Sequence, residues 1–220
     1  MSPERPSRDQ VLISVVLPLF NESAVLTRLH CEVSQTLKRA GVLYELIFVN
    51  DGSTDDSATV LEQLAAQDPH SQILHFSRNF GHQAAVQAGL HHARGDAVVV
   101  MDSDLQDKPD CLLDFLSEWE AGYDLVYAVR CDRQEGPLKR FLFFAFYRML
   151  NAVAQTPMPN DAGNFGLVDR RVMQSILQLN ECDRYYAGLR SWVGFRQVGI
   201  SVPRGARHDR CPRVSWLGLF

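Results

Sequence analysis

The sequence predicts an α/β fold in which a mostly parallel sheet is flanked by helices. Short apolar segments of strand length alternate with longer segments in which apolar side chains have helical spacing. The strand segments are apolar on both faces, which is typical of parallel strands covered by helices on both sides. Polar clusters follow three of the predicted strands directly, at the ends where such sheets bind ligands.

The elements of the first 130 residues can be assigned in order. The first strand ends at Pro18, and the first helix ends before Gly41. Thr54 or Asp55 is the expected cap of the second helix, and Pro109 lies in the first turn of the fourth. The predicted strands are 11–17, 44–49, 73–76, 97–101 and 125–129, and the predicted helices are 23–40, 55–67, 81–93 and 109–121.

The pattern changes after residue 130. A helix predicted at 138–154 combines many aromatic residues with Lys139, Arg140 and Arg148. This composition is typical of an amphipathic helix facing a membrane, and it also fits a core helix packed on the sheet. Further helices are predicted at 172–179 and 185–192, and a last strand at 197–202.

Charge is unevenly distributed along the chain. Residues 1–129 contain 8 Lys and Arg against 19 Asp and Glu, whereas residues 130–220 contain 14 against 7. An acidic half suits metal binding, and a basic half suits phosphate or an anionic membrane surface. Segregated surface charge without a function is the alternative.

The domain organisation is simple. We expect a polar tail at 1–10, one domain at 11–203 and a basic juxtamembrane tail at 204–220. The five cysteines form no CxxC pair, so we expect neither a zinc site nor disulfides. No apolar run reaches 18 residues, and the apolar ending at 216–220 indicates a fragment.

The strongest candidate site is Asp102-Ser103-Asp104, at the end of a buried strand. Two carboxylates so close together repel each other unless a cation is bound. Mg²⁺ and Mn²⁺ take oxygen ligands, often one or two carboxylates together with the phosphates of a substrate. Gln106 follows closely and is a further candidate ligand.

Two more clusters lie at strand ends. Asp51 can accept hydrogen bonds from a base or ribose, and Gly52 permits a tight turn into a helix N-terminus. Phe20 can flank a base, and Glu22 can accept a hydrogen bond from a ribose. An Asx turn with a helix cap explains the first cluster equally well, and a strand-to-helix turn explains the second.

These clusters, in their order and spacing, resemble family 2 glycosyltransferases, and among them the dolichyl- and polyprenyl-phosphate hexose synthases. The resemblance covers nearly the whole chain. The matching segments are SVVLPLFNE, ELIFVNDGSTD, RNFGHQAAVQAGL, GDAVVVMDSDLQD, GYDLVYAVR and NDAGNFGLVDRR.

The resemblance implies a GT-A fold, a nucleotide-sugar donor and a divalent metal, Mg²⁺ or Mn²⁺. It implies that Asp102, Asp104 and Gln106 hold the metal and that Arg130 faces the diphosphate. The nucleotide-sugar residues that we assign on this basis are Pro18, Phe20, Glu22, Asp51, Ser53, Gly81 and Ser103. His82 either contacts the ligand or begins a helix and faces solvent.

The acceptor side departs from the family pattern. In the loop at 160–165, Asp161 is the candidate acid or base, or else it orients an arginine. Many relatives carry Asp in place of Asn164 and Arg in place of Gly166. In the basic tail, Arg210 and Ser215 align with a phosphate-binding segment, while Arg213 replaces its glycine and Trp216 its lysine. We assign Arg210, Arg213 and Ser215 to the lipid phosphate.

The resemblance implies transfer of a hexose, with inversion, from UDP-glucose or GDP-mannose to a polyprenyl phosphate at the cytoplasmic face of a membrane. A polyprenyl phosphate is already anionic, so a strong base is unnecessary. Transfer to a sugar hydroxyl is one alternative, although no Gln-x-x-Arg-Trp motif is present. A truncated chain that only binds nucleotide-sugar is another. No nucleic-acid partner is expected, and a homo-oligomer is possible.

Overall fold

The computed structural model describes residues 5–130, 162–179 and 185–202. In the first of these ranges, strands and helices alternate as predicted, and each boundary lies within two residues of its predicted position. The strands are β1 (Leu12–Leu19), β2 (Leu43–Asn50), β3 (Ser71–His75), β4 (Ala97–Val100) and β5 (Leu125–Arg130). The helices are α1 (Ser23–Ala40), α2 (Ser57–Gln67), α3 (His82–His92) and α4 (Cys111–Glu120), and a 3-10 turn at Arg8–Gln10 precedes them.

The last two ranges contain one element that the sequence analysis missed. Residues 162–165, predicted to lie in a loop, belong to the strand β6 (Ala162–Asp169). It is followed by α5 (Arg170–Leu177), α6 (Tyr186–Trp192) and β7 (Gln197–Val202). Helix α5 begins two residues before its predicted start because the Asp169 side chain accepts a hydrogen bond from the Arg171 amide. Strand β7 has the predicted bounds.

Within the described residues, the strands form one sheet in the order β3-β2-β1-β4-β6-β5-β7. Strand β6 runs antiparallel to both β4 and β5, whereas the other neighbours are parallel. The predicted mostly parallel sheet is therefore confirmed. The chain order reverses between β1 and β4, so this junction is the topological switch point where such sheets bind ligands.

Apolar side chains cover both faces of the sheet. One core lies between the sheet and α1, α2 and α4, and the other lies between the sheet and α3, α5 and α6. Helix α1 buries the apolar stripe that its sequence predicts, including Leu26, Leu29 and Val33. It ends at Gly41, whose φ of 71° and amide bond to the Lys38 carbonyl close the last turn.

Helix α2 starts at Ser57, two residues after its predicted start. The Asp55 carboxylate accepts hydrogen bonds from the Ser57 amide (3.0 Å) and from the Ser23 amide at the start of α1 (3.1 Å). One side chain therefore caps two helices. Burial raises the pKa of Asp55, but the hydrogen bonds from Ser57 and Ser23 outweigh it and lower the pKa. The N-cap position of α2 is occupied by Asp56, whose side chain makes no capping hydrogen bond, so Asp55 makes the predicted capping interaction from the residue before it.

Candidate active site

The predicted site residues that the structure describes gather at one edge of the sheet. Strands β1, β2, β4 and β5 all point their carboxyl ends to this edge, because β6 is antiparallel to both β4 and β5. The segments after β1, β2 and β4 meet at the switch point. There the buried Ser103 hydroxyl donates to the Pro18 carbonyl (2.9 Å), so it links the loop after β4 to β1.

The loops after β1 and β2 are held together by Asn21. Its backbone has a φ of 56°, a left-handed conformation that asparagine tolerates. The Asn21 side-chain oxygen accepts a hydrogen bond from the Thr54 backbone amide (2.7 Å). The Asn21 backbone amide donates a hydrogen bond to the Ser53 hydroxyl (2.9 Å). Ser53 thus has a structural partner in addition to its predicted role. The sequence analysis did not assign Asn21 to the site.

Asp51 follows β2 and is almost fully buried, with 3% of its surface exposed. One carboxylate oxygen accepts a hydrogen bond from the Phe80 amide (2.7 Å), and the other accepts from the Gly81 amide (2.9 Å). These bonds were not predicted from the sequence. They fix the loop before α3 against the end of β2, so Asp51 organises the predicted nucleotide site as well as bordering it.

Gly52 and Gly81 differ in the space around them. Gly52 has a φ of 66°, and a Cβ there would lie 2.4 Å from the Arg78 carbonyl carbon and 2.6 Å from the Asn79 amide nitrogen. Gly81 has a φ of 97°, and a Cβ there would meet no atom of the described residues within 4 Å. Gly52 therefore allows two loops to touch, whereas the backbone at Gly81 borders open space that a ligand can approach.

Phe80 is an aromatic residue that the sequence analysis did not assign to the site. Its side chain is 49% exposed, although its backbone is anchored to Asp51. The ring packs edge-on against Phe76, with centroids 5.6 Å apart, and the Arg78 guanidinium lies 4.0 Å from its centroid. An exposed ring held on a fixed loop is a surface on which a base can stack. The signal in the sequence was the position of Phe80 between Asn79 and Gly81, in the loop before α3.

The candidate metal ligands follow β4. His82, the first residue of α3, lies 2.9 Å from an Asp102 carboxylate oxygen through its Nε2 atom. An Asp104 carboxylate oxygen accepts a hydrogen bond from the Gln106 amide (3.1 Å), across Leu105, whose φ is 58°. His82 therefore contacts a candidate metal ligand, and it also begins α3 with an exposed side chain, as the alternative interpretation predicted.

The donor set fits a hard divalent cation. The two partly exposed carboxylates would supply oxygen ligands and would leave other coordination positions for phosphate oxygens and water. Across residues 5–130, 162–179 and 185–202, no group of three or more His, Cys, Asp or Glu is arranged to hold a metal. Mg²⁺ is commonly bound by one or two carboxylates together with the phosphates of a substrate.

Several of the predicted site residues lie wholly or partly outside the described residues. Arg130 ends β5 at the same edge of the sheet, but its side chain lies outside the description. Asp161, Arg210, Arg213, Ser215 and the predicted helix at 138–154 lie outside the described residues. Phe20 and Glu22 occupy the turn from β1 into α1, where Glu22 is the residue before the helix. In the described part of the chain, no helix is both long and apolar enough to cross a membrane.

Comparison with known proteins identifies the family. A model of the family described as Glycosyl transferase family 2 matches residues 14–177. The chain belongs to this family. The uncharacterized glycosyltransferase YkcC of Bacillus subtilis is 40% identical over 195 residues, which are 88% of this chain and 60% of the relative. The bactoprenol glucosyl transferase of Shigella phage SfV is 38% identical over 196 residues, 89% of this chain and 64% of the relative.

These comparisons confirm the predicted family and fold. The mannosyltransferase PcManGT from Pyrobaculum calidifontis, solved in complex with GDP-Man and Mn²⁺, superposes with a TM-score of 0.65. Its sequence identity is 19%, and the match covers 91% of this family 2 chain and 58% of PcManGT. This likeness shows the GT-A fold. The chain spans 60–66% of the length of the first curated relatives.

Proposed function

We propose that this chain transfers a hexose, glucose in the first instance, from a nucleoside diphosphate sugar to a polyprenyl phosphate at the cytoplasmic face of a membrane. The observation that carries the proposal is the 38% identity to a bactoprenol glucosyl transferase over 89% of the chain. The arrangement of Asp51, Asp102 and Asp104 at the switch point supports the donor half of the reaction.

In the proposed reaction, a phosphate oxygen of the acceptor bonds to C1 of the hexose. The bond between C1 and the diphosphate oxygen breaks, and the nucleoside diphosphate leaves with the bonding electrons. We propose that the attack inverts C1. The nucleophile is already an anion at neutral pH, so the protein does not need to remove a proton. It needs to position the acceptor phosphate and the donor diphosphate and to stabilise the charge of the leaving group.

The residues divide into donor and acceptor groups. The loop tied by Asp51 to Phe80 and Gly81 would receive the nucleotide, with the base against an aromatic ring. Asp102 and Asp104, with Gln106, would hold Mg²⁺ or Mn²⁺, which neutralises charge on the diphosphate. We assign Arg130 to the donor diphosphate. On the acceptor side we assign Asp161 as the candidate acid or base, and Arg210, Arg213 and Ser215 to the lipid phosphate. These assignments rest on the resemblance to the family, from which Arg213 departs because it replaces the family's glycine.

The test is a transfer assay with radiolabelled UDP-glucose or GDP-mannose, with Mg²⁺ or Mn²⁺, in detergent. The acceptors are a short polyprenyl phosphate, the matching polyprenol and a sugar acceptor. We expect metal-dependent transfer of glucose to the polyprenyl phosphate alone. Transfer to the sugar acceptor, or nucleotide binding without transfer to the lipid phosphate, would contradict the proposal.

An Asp104→Asn variant tests the metal site in the same assay. Loss of one carboxylate ligand should lower the rate of transfer about 100-fold, equivalent to about 3 kcal/mol of transition-state stabilisation. Asp114→Asn is the matched control because Asp114 is an exposed carboxylate on α4. An Asp104→Asn rate within a few-fold of the Asp114→Asn rate would exclude the assigned role.

A further inference from the structure

Arg190 on α6 is a buried cation to which the proposed reaction assigns no role. The Arg190 residue is only 1% exposed, and none of its three guanidinium nitrogens has a hydrogen-bond partner among the described residues. An arginine remains charged in proteins and has five N–H donors. Burial lowers the pKa of Arg190, and the groups that oppose this effect are tyrosines rather than carboxylates.

Two aromatic rings and the backbone of β6 lie close to Arg190. Its guanidinium carbon lies 5.0 Å from the Tyr127 ring centroid and 5.8 Å from that of Tyr186. The Tyr186 hydroxyl is also buried without a partner in the described parts of the chain. A Cβ on Gly166 would lie 3.3 Å from a terminal nitrogen of Arg190, so the guanidinium lies beside a position in β6 that carries no side chain.

This location is close to the proposed reaction. Gly166 pairs with Val100 at the end of β4, two residues before Asp102. With the usual strand rise and spacing, Gly166 and Asp102 are roughly 8 Å apart. Helices α3 and α6 cover the same face of the sheet, so Arg190 lies on the side of the sheet from which His82 contacts Asp102.

A buried guanidinium without a counter-ion is costly, and an anion that binds two or more of its N–H groups removes the cost. Guanidinium groups match the geometry of phosphate and bind it through paired hydrogen bonds. The anions of the reaction proposed above are all phosphates. We propose that Arg190 binds a phosphate group of one of the reactants, an assignment that rests on the proposed function for the identity of the ligand.

The phosphate has two possible sources, which ligand-induced thermal shifts distinguish. The probes are geranyl phosphate for the acceptor, and UDP with Mn²⁺ for the donor. Each is titrated against the wild-type chain, Arg190→Met, Arg190→Lys and the control Arg196→Met. Arg196 stacks on Tyr123 next to the start of β7, at the opposite edge of the sheet, and its loss makes the same change in charge.

We expect Arg190→Met to weaken binding of one probe about 10- to 100-fold, the effect of losing a charge-assisted bidentate contact. Arg196→Met should leave both affinities unchanged. Loss of the geranyl phosphate shift assigns Arg190 to the acceptor, and loss of the UDP shift assigns it to the donor diphosphate. Arg190→Lys, which retains the charge but not the paired geometry, should show an intermediate affinity for the same probe.

A structural role predicts a different result. If Arg190→Met lowers the melting temperature of the free chain while both probes bind with wild-type affinity, the guanidinium has an internal partner and the proposal is wrong. The transfer assay judges the proposed function separately. A wild-type chain that binds UDP but transfers nothing to a lipid phosphate fails that assay, while the UDP titration still decides the role of Arg190.

Discussion

Substitution of Gly52 by alanine should damage both the stability and the nucleotide site. The residue has a φ of 66°, which costs a non-glycine residue about 1–2 kcal/mol. The new Cβ would also lie 2.4–2.8 Å from backbone atoms of Arg78 and Asn79, which cannot turn aside as a flexible side chain can. Overpacking of this kind adds about 1–3 kcal/mol. We therefore expect a total loss of about 2–5 kcal/mol in the free energy of unfolding.

Gly41→Ala is the matched control for this experiment. Gly41 has a φ of 71°, but a Cβ there would meet no atom within 4 Å in the described part of the chain, so only the cost of the backbone conformation applies. Urea denaturation followed by circular dichroism gives both losses, and calorimetry gives the affinity for UDP in Mn²⁺. Gly52→Ala should lose more stability than Gly41→Ala. It alone should lower the affinity for UDP, because the displaced loop carries the Phe80 amide that is bonded to Asp51. Equal losses with unchanged UDP affinity would refute the steric argument.

Two further carboxylates give testable effects. Asp51→Asn leaves one of the two amide donors, Phe80 or Gly81, without an acceptor. This loss should lower the free energy of unfolding in urea by about 1–3 kcal/mol and should weaken the binding of UDP. An unchanged denaturation midpoint would contradict this expectation. Burial raises the pKa of Asp68, but hydrogen bonds from His70 and His30 outweigh it and lower the pKa to about 2. This depressed pKa contributes stability above about pH 4, which is lost as the pH falls towards 2 and amounts to about 1–2 kcal/mol after solvent screening. Asp68→Asn should flatten the pH dependence, and parallel curves for the two chains would exclude the effect.

The elements with a strong local pattern were predictable from the sequence. The helix at 23–40 has its predicted bounds because its apolar stripe and Gly41 both act locally. Strands β1, β2 and β4 were recognised because they are apolar on both faces. The site at the switch point followed from the polar residues directly after these strands.

Strand β6 was not predictable in the same way. Its sequence AGNFGLVD contains two glycines and an asparagine, which are uncommon in strands. Its stability as a strand comes from pairing with β4 and β5 on either side, and these partners are distant in sequence. The bonds of Asp51 to the loop before α3 also depend on tertiary structure, because the carboxylate and its donors are 29 and 30 residues apart.

The antiparallel strand β6 brings the acidic and the basic parts of the chain together. Residues 1–129, which are acidic, supply Asp51, Asp102 and Asp104, whereas β6 and α6 come from the basic part of the chain. Because β6 pairs with β4, it brings the basic part against the end of the strand that carries the two aspartates. Carboxylates suited to a cation and a guanidinium suited to a phosphate are thus held at one edge of a single sheet. The cation and the phosphates of the proposed reaction require this combination, since a site with charge of only one sign would repel either the cation or the phosphates.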